Sequence, residues 1–270
     1  MSQKGHACRQ AGFSVIFIVV GIGVLILTGV AAFLFKPNSK NQENPQLVTT
    51  QNEVGKVENL TTTQNSDEPP LKLKSIGVEF SDFKFTKEKL QFNRLFMGYG
   101  FVIPGNETTS GKDKSNPQPT FILPMGTPVR SLVDGVVANI PTVWSGDYSI
   151  QVTSSGKLER WVYETEHVIN PKVKVGDMVK AGQIIAEVSD FDKSAPSGYG
   201  VVEIGILHGR GEGPPEHVCP FAYLDDSIKE ETFTSLRNLF KDWEEYIGDK
   251  SLYDESLPTP GCISLDPIEG

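Results

Sequence analysis

Hydrophobic and polar positions divide this chain into four regimes. The first is unbroken: "FSVIFIVVGIGVLILTGVAAFLF", Phe13 to Phe35, contains no charged residue. About 20 apolar residues suffice to cross a hydrocarbon core, and a helix buried in a protein core would show polar positions on one face. A cleaved secretory signal would be shorter and end in a small-residue site, whereas "KPNSK" follows here. The pattern predicts a transmembrane helix over 13–35, after a short tail of residues 1–12. The second regime, 36–76, is rich in Asn, Gln, Thr and Pro and has no period. It has too little apolar surface to offset the entropy of ordering, so a disordered linker is expected.

From residue 77 the period becomes two, the signature of half-buried strands. "VEFSDFKF" (78–85) reads as a strand, and "TPVRSLVDGVVANI" as two short β-rich runs around the turn pair Asp134-Gly135. "YSIQVTSSGKLERWVYETEHV" reads as strand, Ser-Gly turn, strand. "VKVGDMVKAGQIIAEV" adds two more short strands, and "VVEIGIL" closes the series. Short strands with Gly-centred turns predict a mainly β sandwich or barrel over 77–225. The last regime is helical. Phe233, Leu236, Leu239, Phe240, Trp243 and Ile247 recur at three- and four-residue steps after an S-x-x-E capping box at Ser227 and Glu230. An amphipathic helix, packed with the tail (226–270) on the β domain, is expected.

Charge changes the picture modestly. A net charge of −9 argues against a nucleic-acid partner, because phosphate binding relies on a basic face. Lys4 and Arg9 before the span nearly balance Lys36 and Lys40 after it. Leaving the short tail in the cytoplasm makes this a single-pass membrane protein whose C-terminal domain is extracytoplasmic. Cys8 is then cytoplasmic, while Cys219 and Cys262 lie outside, where a disulfide persists. Pairing them would tie the tail to the end of the β domain; two unpaired thiols is the other reading.

"PMGTPVRSLVDGVV", the hairpin ending in "YETEHV", "VKVGDMVKAGQIIAEV" and "SGYGVVEIGI" follow one another in that order. This series, roughly 116–209, resembles the lysostaphin/LytM-type zinc endopeptidases of bacterial cell walls. The resemblance implies the duplicated-hybrid-motif fold, a barrel-sandwich-like β domain. It also implies zinc held by an H-x-x-x-D segment and the last histidine of an H-x-H strand. Alternate strand residues share a face, and three protein ligands leave a position for an activated water. Aligned with that pattern, Asn116 and Thr120 stand where His and Asp belong, and Gly200 and Val202 where the two histidines belong. His167 occupies the place of a histidine that assists the reacting water. It is expected as a remnant, half-exposed and hydrogen-bonded to a neighbour such as Glu166. No catalytic residue is assigned, and no cofactor is expected, zinc being disfavoured.

"HGRGEGPPEHVCP" offers His208, Glu212, His217 and Cys219 as ligand types, but only in an H-x-C spacing, not the paired C-x-x-C of structural zinc. His208 and His217 stand as secondary metal candidates. The favoured function is a membrane-anchored, catalytically inactive peptidase-like module that binds or regulates at the cell wall, with peptidoglycan or a wall enzyme as partner. Tyr163, Trp161 and Trp144 are its expected groove residues. One alternative is an active metallopeptidase with an atypical site around His167, His208 and His217. The other is a lipoyl-like carrier or adaptor modified at Lys193 of "DFDKSAP", although an adaptor's sustained heptads are absent.

Overall fold

The computed structural model describes residues 68–105, 110–191, 196, 198–211 and 213–270. The expected span 13–35, the linker up to residue 67, Cys8, Glu212 and Lys193 lie outside the described residues. Among the described residues no helix is long and apolar enough to cross a membrane.

Thirteen strands and one long helix form the described fold. The strands are β1 (Phe96–Met97), β2 (Val102–Ile103), β3 (Lys114–Ser115), β4 (Thr120–Pro124), β5 (Pro128–Arg130), β6 (Gly135–Asn139) and β7 (Tyr148–Thr153). Then come β8 (Trp161–Ile169), β9 (Met178–Val179), β10 (Ile184–Val188), β11 (Tyr199–His208), β12 (Glu216–Val218) and β13 (Ile268–Glu269). One sheet runs β1-β4-β11-β8-β7-β6-β9, with β10 bridging β5 and β8, and β12 joining β11 to β13. The architecture is mainly β with a C-terminal helix, as the period-two pattern predicts.

The hairpin β7–β8 forms around the Ser-Gly turn, with Val152 opposite Tyr163 and Gln151 opposite Glu164. Its apolar partners, and those of β11, fill the core: Ile150, Val202, Ile204 and Ile206 are fully buried.

Helix α1 spans Asp226–Ile247. Asp225, not Ser227, caps it, its carboxylate accepting the Ser227 amide at 3.0 Å. An aspartate two residues earlier, whose carboxylate also accepts the Ser227 hydroxyl, thus displaces the expected capping box. Gly248, at φ 85°, ends the helix by donating to the Glu244 carbonyl. Of the predicted stripe, Phe233, Leu236, Leu239, Phe240 and Trp243 are buried, and Ile247 is partly so. Phe240 lies 5.6 Å from the Phe96 ring of β1, and the Trp243 indole donates to the Asn93 carbonyl at 2.9 Å. The helix therefore packs on its own domain.

Cys219 and Cys262 form the disulfide, their Cα atoms 5.9 Å apart. Beside it Tyr99 donates its backbone N–H to Gly261 and accepts from Ile263, fastening the tail along the domain.

Three expectations are corrected. Residues 78–85 hold a 3-10 turn at Phe80–Asp82 instead of a strand. The Asp82 carboxylate takes the Glu79 amide at 2.9 Å, and Arg130 reaches both Glu79 and Asp82, so side-chain capping wins over alternation. Strands β5 and β6 do not pair across Asp134-Gly135: β5 joins β10, and β6 joins β7 and β9. Finally, residues 71–76, assigned to the linker, are docked. Leu73 is fully buried and exchanges backbone hydrogen bonds with Tyr223 and Asp225, and Lys74 N–H donates to Leu132.

Candidate functional site

The centre of the sheet carries polar side chains on one face. Residues opposite one another in an antiparallel ladder share a face, so pairing alone assembles a row: Thr120 on β4, Glu203 on β11, Glu166 on β8. A parallel row sets Gly205 of β11 beside Glu164 of β8 and Gln151 of β7. Gln118, ahead of β4, spans the two, donating to Glu164 at 2.9 Å and to Glu166 at 3.4 Å. Gly205 makes that bridge fit: a Cβ there would lie 2.9 Å from the Gln118 amide nitrogen and 3.2 Å from a Glu164 oxygen.

A β-bulge brings His167 onto this face. Between Tyr148 and Ile150 of β7, strand β8 runs from Val168 to Thr165, one residue more, and His167 adopts φ 57°. An extra residue in one strand breaks the alternation. Glu164, Glu166 and His167 consequently all line one cleft of about 550 Å³, with Pro141, Trp144 and Phe191 at its walls.

His167 is 4% exposed, not half-exposed. Its partner is Asp147, not Glu166: Nδ1 lies 3.1 Å from Asp147 Oδ2 and 3.3 Å from Ser145 Oγ. The bulge turns the ring toward the β7 side, away from its sequence neighbour. A carboxylate only accepts, so the Nδ1 proton faces Asp147 and Nε2 faces Glu203, 4.0 Å away. Phe191 stacks on the imidazole with ring centroids 3.4 Å apart.

Burial dominates the electrostatics. Glu164, 3% exposed, accepts from Gln118, Ser149 and Gln151, yet burial, with the Glu166 charge beside it, pushes its carboxyl up to about 7. Burial and the same neighbour raise Glu203 to about 8; the Thr120 hydroxyl and Lys114 oppose this only in part. The Glu203 side chain keeps 19% exposure, which opens onto the cleft. Both carboxyl groups therefore keep protons into the neutral range, desolvation outweighing the hydrogen bonds that favour the charged form.

His217 enters the same cleft from β12, where it pairs with Leu207. It is 5% exposed, its pKa is pushed down to about 4 by burial and then by Lys114, and its Nδ1 has no hydrogen-bond partner among the described residues. His208 pairs with Glu216, one step along the ladder, and so faces the other way. There it stacks on Trp161 at 4.1 Å and takes the Arg160 Nε–H at 2.6 Å. The two histidines do not converge.

The expected groove separates too. Trp144, 85% exposed, stands at the cleft wall. Trp161 is buried against His208, and Tyr163 is buried with its hydroxyl bonded to the Leu71 backbone at 2.7 and 2.8 Å. Odd positions of β8 before the bulge point away from the cleft, which removes both from the groove.

Gly200 and Val202 do not face the cleft either. Val202 is fully buried in the core, and a Cβ on Gly200 would meet the Ser189 carbonyl and Met125. The strand side chain that enters the cleft is Glu203, one residue on, and a one-residue slip exchanges the faces of a strand. Asn116 and Thr120 do lie by the cleft, hydrogen-bonded to each other at 3.2 Å, with Thr120 Oγ1 3.1 Å from Glu203. Among the described residues no three His, Cys, Asp or Glu side chains group as metal ligands. A zinc ion of the kind the resemblance implies does not fit this amide, hydroxyl and carboxyl set.

Glu203, Gln118, Asp147 and Phe191 were not foreseen, and Glu166 was expected only as a hydrogen-bond neighbour of His167. The available signal was a lone glutamate inside the otherwise apolar "VVEIGIL" and two more in "YETEHV", since buried acids are rare unless used or paired.

No protein-family model matches the chain, and no curated protein sequence does. Solved structures do. A mutant catalytic domain of the prophage-encoded M23 protein EnpA from Enterococcus faecalis is 24% identical, covering 46% of this chain and 85% of its own at a TM-score of 0.33. The catalytic domain of the antimicrobial peptidase lysostaphin from Staphylococcus simulans is 22% identical over 43% of this chain and 80% of its own, TM-score 0.33. LytU is 22% identical over 56% and 90%, TM-score 0.36. The solved structures to which this chain is similar thus include M23 and lysostaphin-type peptidase domains.

Proposed function

We propose that this chain is a membrane-anchored, extracytoplasmic, peptidase-like module that engages cell-wall material or a wall enzyme through the cleft without hydrolysing it. The observation that carries this reading is the row Asn116–Thr120–Glu203. Where the resemblance calls for metal ligands, the face bears an amide, a hydroxyl and a protonated carboxyl bonded to one another. Such a row offers no set of imidazole and carboxylate ligands to hold a zinc ion, the group that would polarise a water. The open cleft and exposed Trp144 leave a surface for recognition. The apolar run 13–35 supports attachment to the membrane.

An atypical metallopeptidase site is not favoured, because His208 faces away from the cleft that His167 and His217 share. The lipoyl-like alternative rests on Lys193 alone. The test is co-sedimentation of the full-length chain, in detergent, with purified sacculi. Binding without release of soluble wall fragments is expected; release that a chelator abolishes would overturn the reading.

A further inference from the structure

The deep wall of the cleft is rich in carboxyl and imidazole groups, and Lys114 stands at its rim. Glu164 spends both oxygens on Gln118, Ser149 and Gln151. Among the described residues Glu166 receives the long Gln118 contact and Glu203 the Thr120 hydroxyl, with His167 Nε2 4.0 Å away. His167 commits Nδ1 to Asp147 and leaves Nε2 toward Glu203. His217 adds a buried Nδ1 with no partner among the described residues. A buried polar atom left unpaired costs stability unless something completes it. Among the described residues the one Lys or Arg lining the cleft is Lys114, exposed at the rim, whose charge reaches Glu203 without a close ion pair.

We infer that the cleft binds a protonated primary amine on an alkyl stem, with Glu166 and Glu203 as its carboxylate acceptors. An ammonium group brings three donors and no acceptor, the complement of this wall. Its charge offsets the burial penalty that keeps Glu203 protonated, so binding at that carboxyl releases a proton to solvent. The stem has apolar cover from exposed Trp144 and from Phe191, whose rings lie 6.1 Å apart edge to face. An anionic ligand would meet the opposed pair Glu166 and Glu203, with Lys114 at the rim as its counter-charge among the described lining residues. This inference rests on the reading of the cleft as a recognition site and names the chemistry recognised.

The test titrates the full-length chain in detergent, near neutral pH, with n-butylammonium chloride, n-butanol, a lysine-bearing tripeptide, its Nε-acetylated form and zinc chloride, read by calorimetry. Saturable binding of butylammonium and the lysine peptide, absent for butanol and the acetylated peptide, is expected. Tighter binding of the peptide assigns the natural amine to a peptide side chain; equal binding assigns it to alkylammonium ions generally. E203Q and E166Q should each weaken binding by roughly tenfold or more. Glu166 is half-buried at the opening, so E166Q keeps the test intact if E203Q disturbs folding. No saturable amine binding, equal binding of butanol, an unchanged E166Q, or zinc competing with the amine would overturn the inference. Sedimentation with sacculi in the absence of amine binding would overturn this inference alone, and amine binding without sedimentation would overturn the wall reading alone.

Discussion

Glu203 and Glu166 stand directly opposite each other in the β8–β11 ladder, two carboxyl groups that line the same cleft. Like charges in directly opposed positions destabilise a sheet. The structure tolerates the pair because Glu203 keeps its proton: burial and the Glu166 charge hold it up to about 8.

The pH dependence of stability follows. A folded-state carboxyl pKa raised above its unfolded value means that the native state holds the extra proton, so stability falls as pH rises between the two values. For Glu164 and Glu203 that window runs from the ordinary 4.5 to about 7 and about 8. His217, lowered from 6.5 to about 4, works oppositely and removes stability as pH falls through that lower range. Above 6.5 only the two carboxyls act. Thermal melts should therefore show Tm falling from pH 6.5 to 8, and E203Q should flatten the fall. An unchanged slope in E203Q would contradict the assignment.

Gly205 is the contact point of β11 with the Gln118–Glu164 bridge. Gly205→Ala drives a methyl to 2.9 Å from the Gln118 amide, a distance at which something must shift. A loss of about 1–3 kcal/mol in chemical denaturation is expected, as for other overpacked sites. A neutral result would mean that the bridge is dispensable.

Trp144 separates recognition from stability. With 85% of its surface exposed, Trp144→Ala should change unfolding free energy by no more than about 0.5 kcal/mol. Sedimentation with sacculi should nevertheless drop. Equal retention of wild type and variant would exclude the cleft wall from binding.

The Cys219–Cys262 bridge closes a loop with a sequence separation of 43 that contains all of α1. Restricting the unfolded chain in this way contributes about 2–4 kcal/mol for typical loops. Replacing both cysteines by serine should lower stability by that order and loosen the tail around Tyr99, measured by hydrogen exchange at Ile263. A double variant as stable as wild type would contradict the role given to the bridge.

Much of this fold was legible in the sequence because β-branched and aromatic runs bounded by Gly-centred turns mark β7, β8 and β11, and α1 carries its stripe from Phe233 to Ile247. The pairing of Cys219 with Cys262 followed from compartment and place. The site was less legible, for two reasons of geometry. Face assignment in β11 depends on parity, so a slip of one residue exchanges the core-facing Val202 with the cleft-facing Glu203. The bulge at His167 breaks parity within β8, putting Glu166 and His167 on the same side while Tyr163 and Trp161 stay on the other. Strands β12 and β13, short and far apart in sequence, carry no period at all, and with β12 comes His217.

The most direct test of the central claim is a zinc titration of the metal-stripped full-length chain, following Tm at fixed pH while wall-fragment release is recorded on the same samples. A resident metal stabilises the state that binds it by mass action. Tm is expected to stay flat across micromolar zinc, with no fragments released. A saturable rise in Tm accompanied by wall hydrolysis would contradict the account.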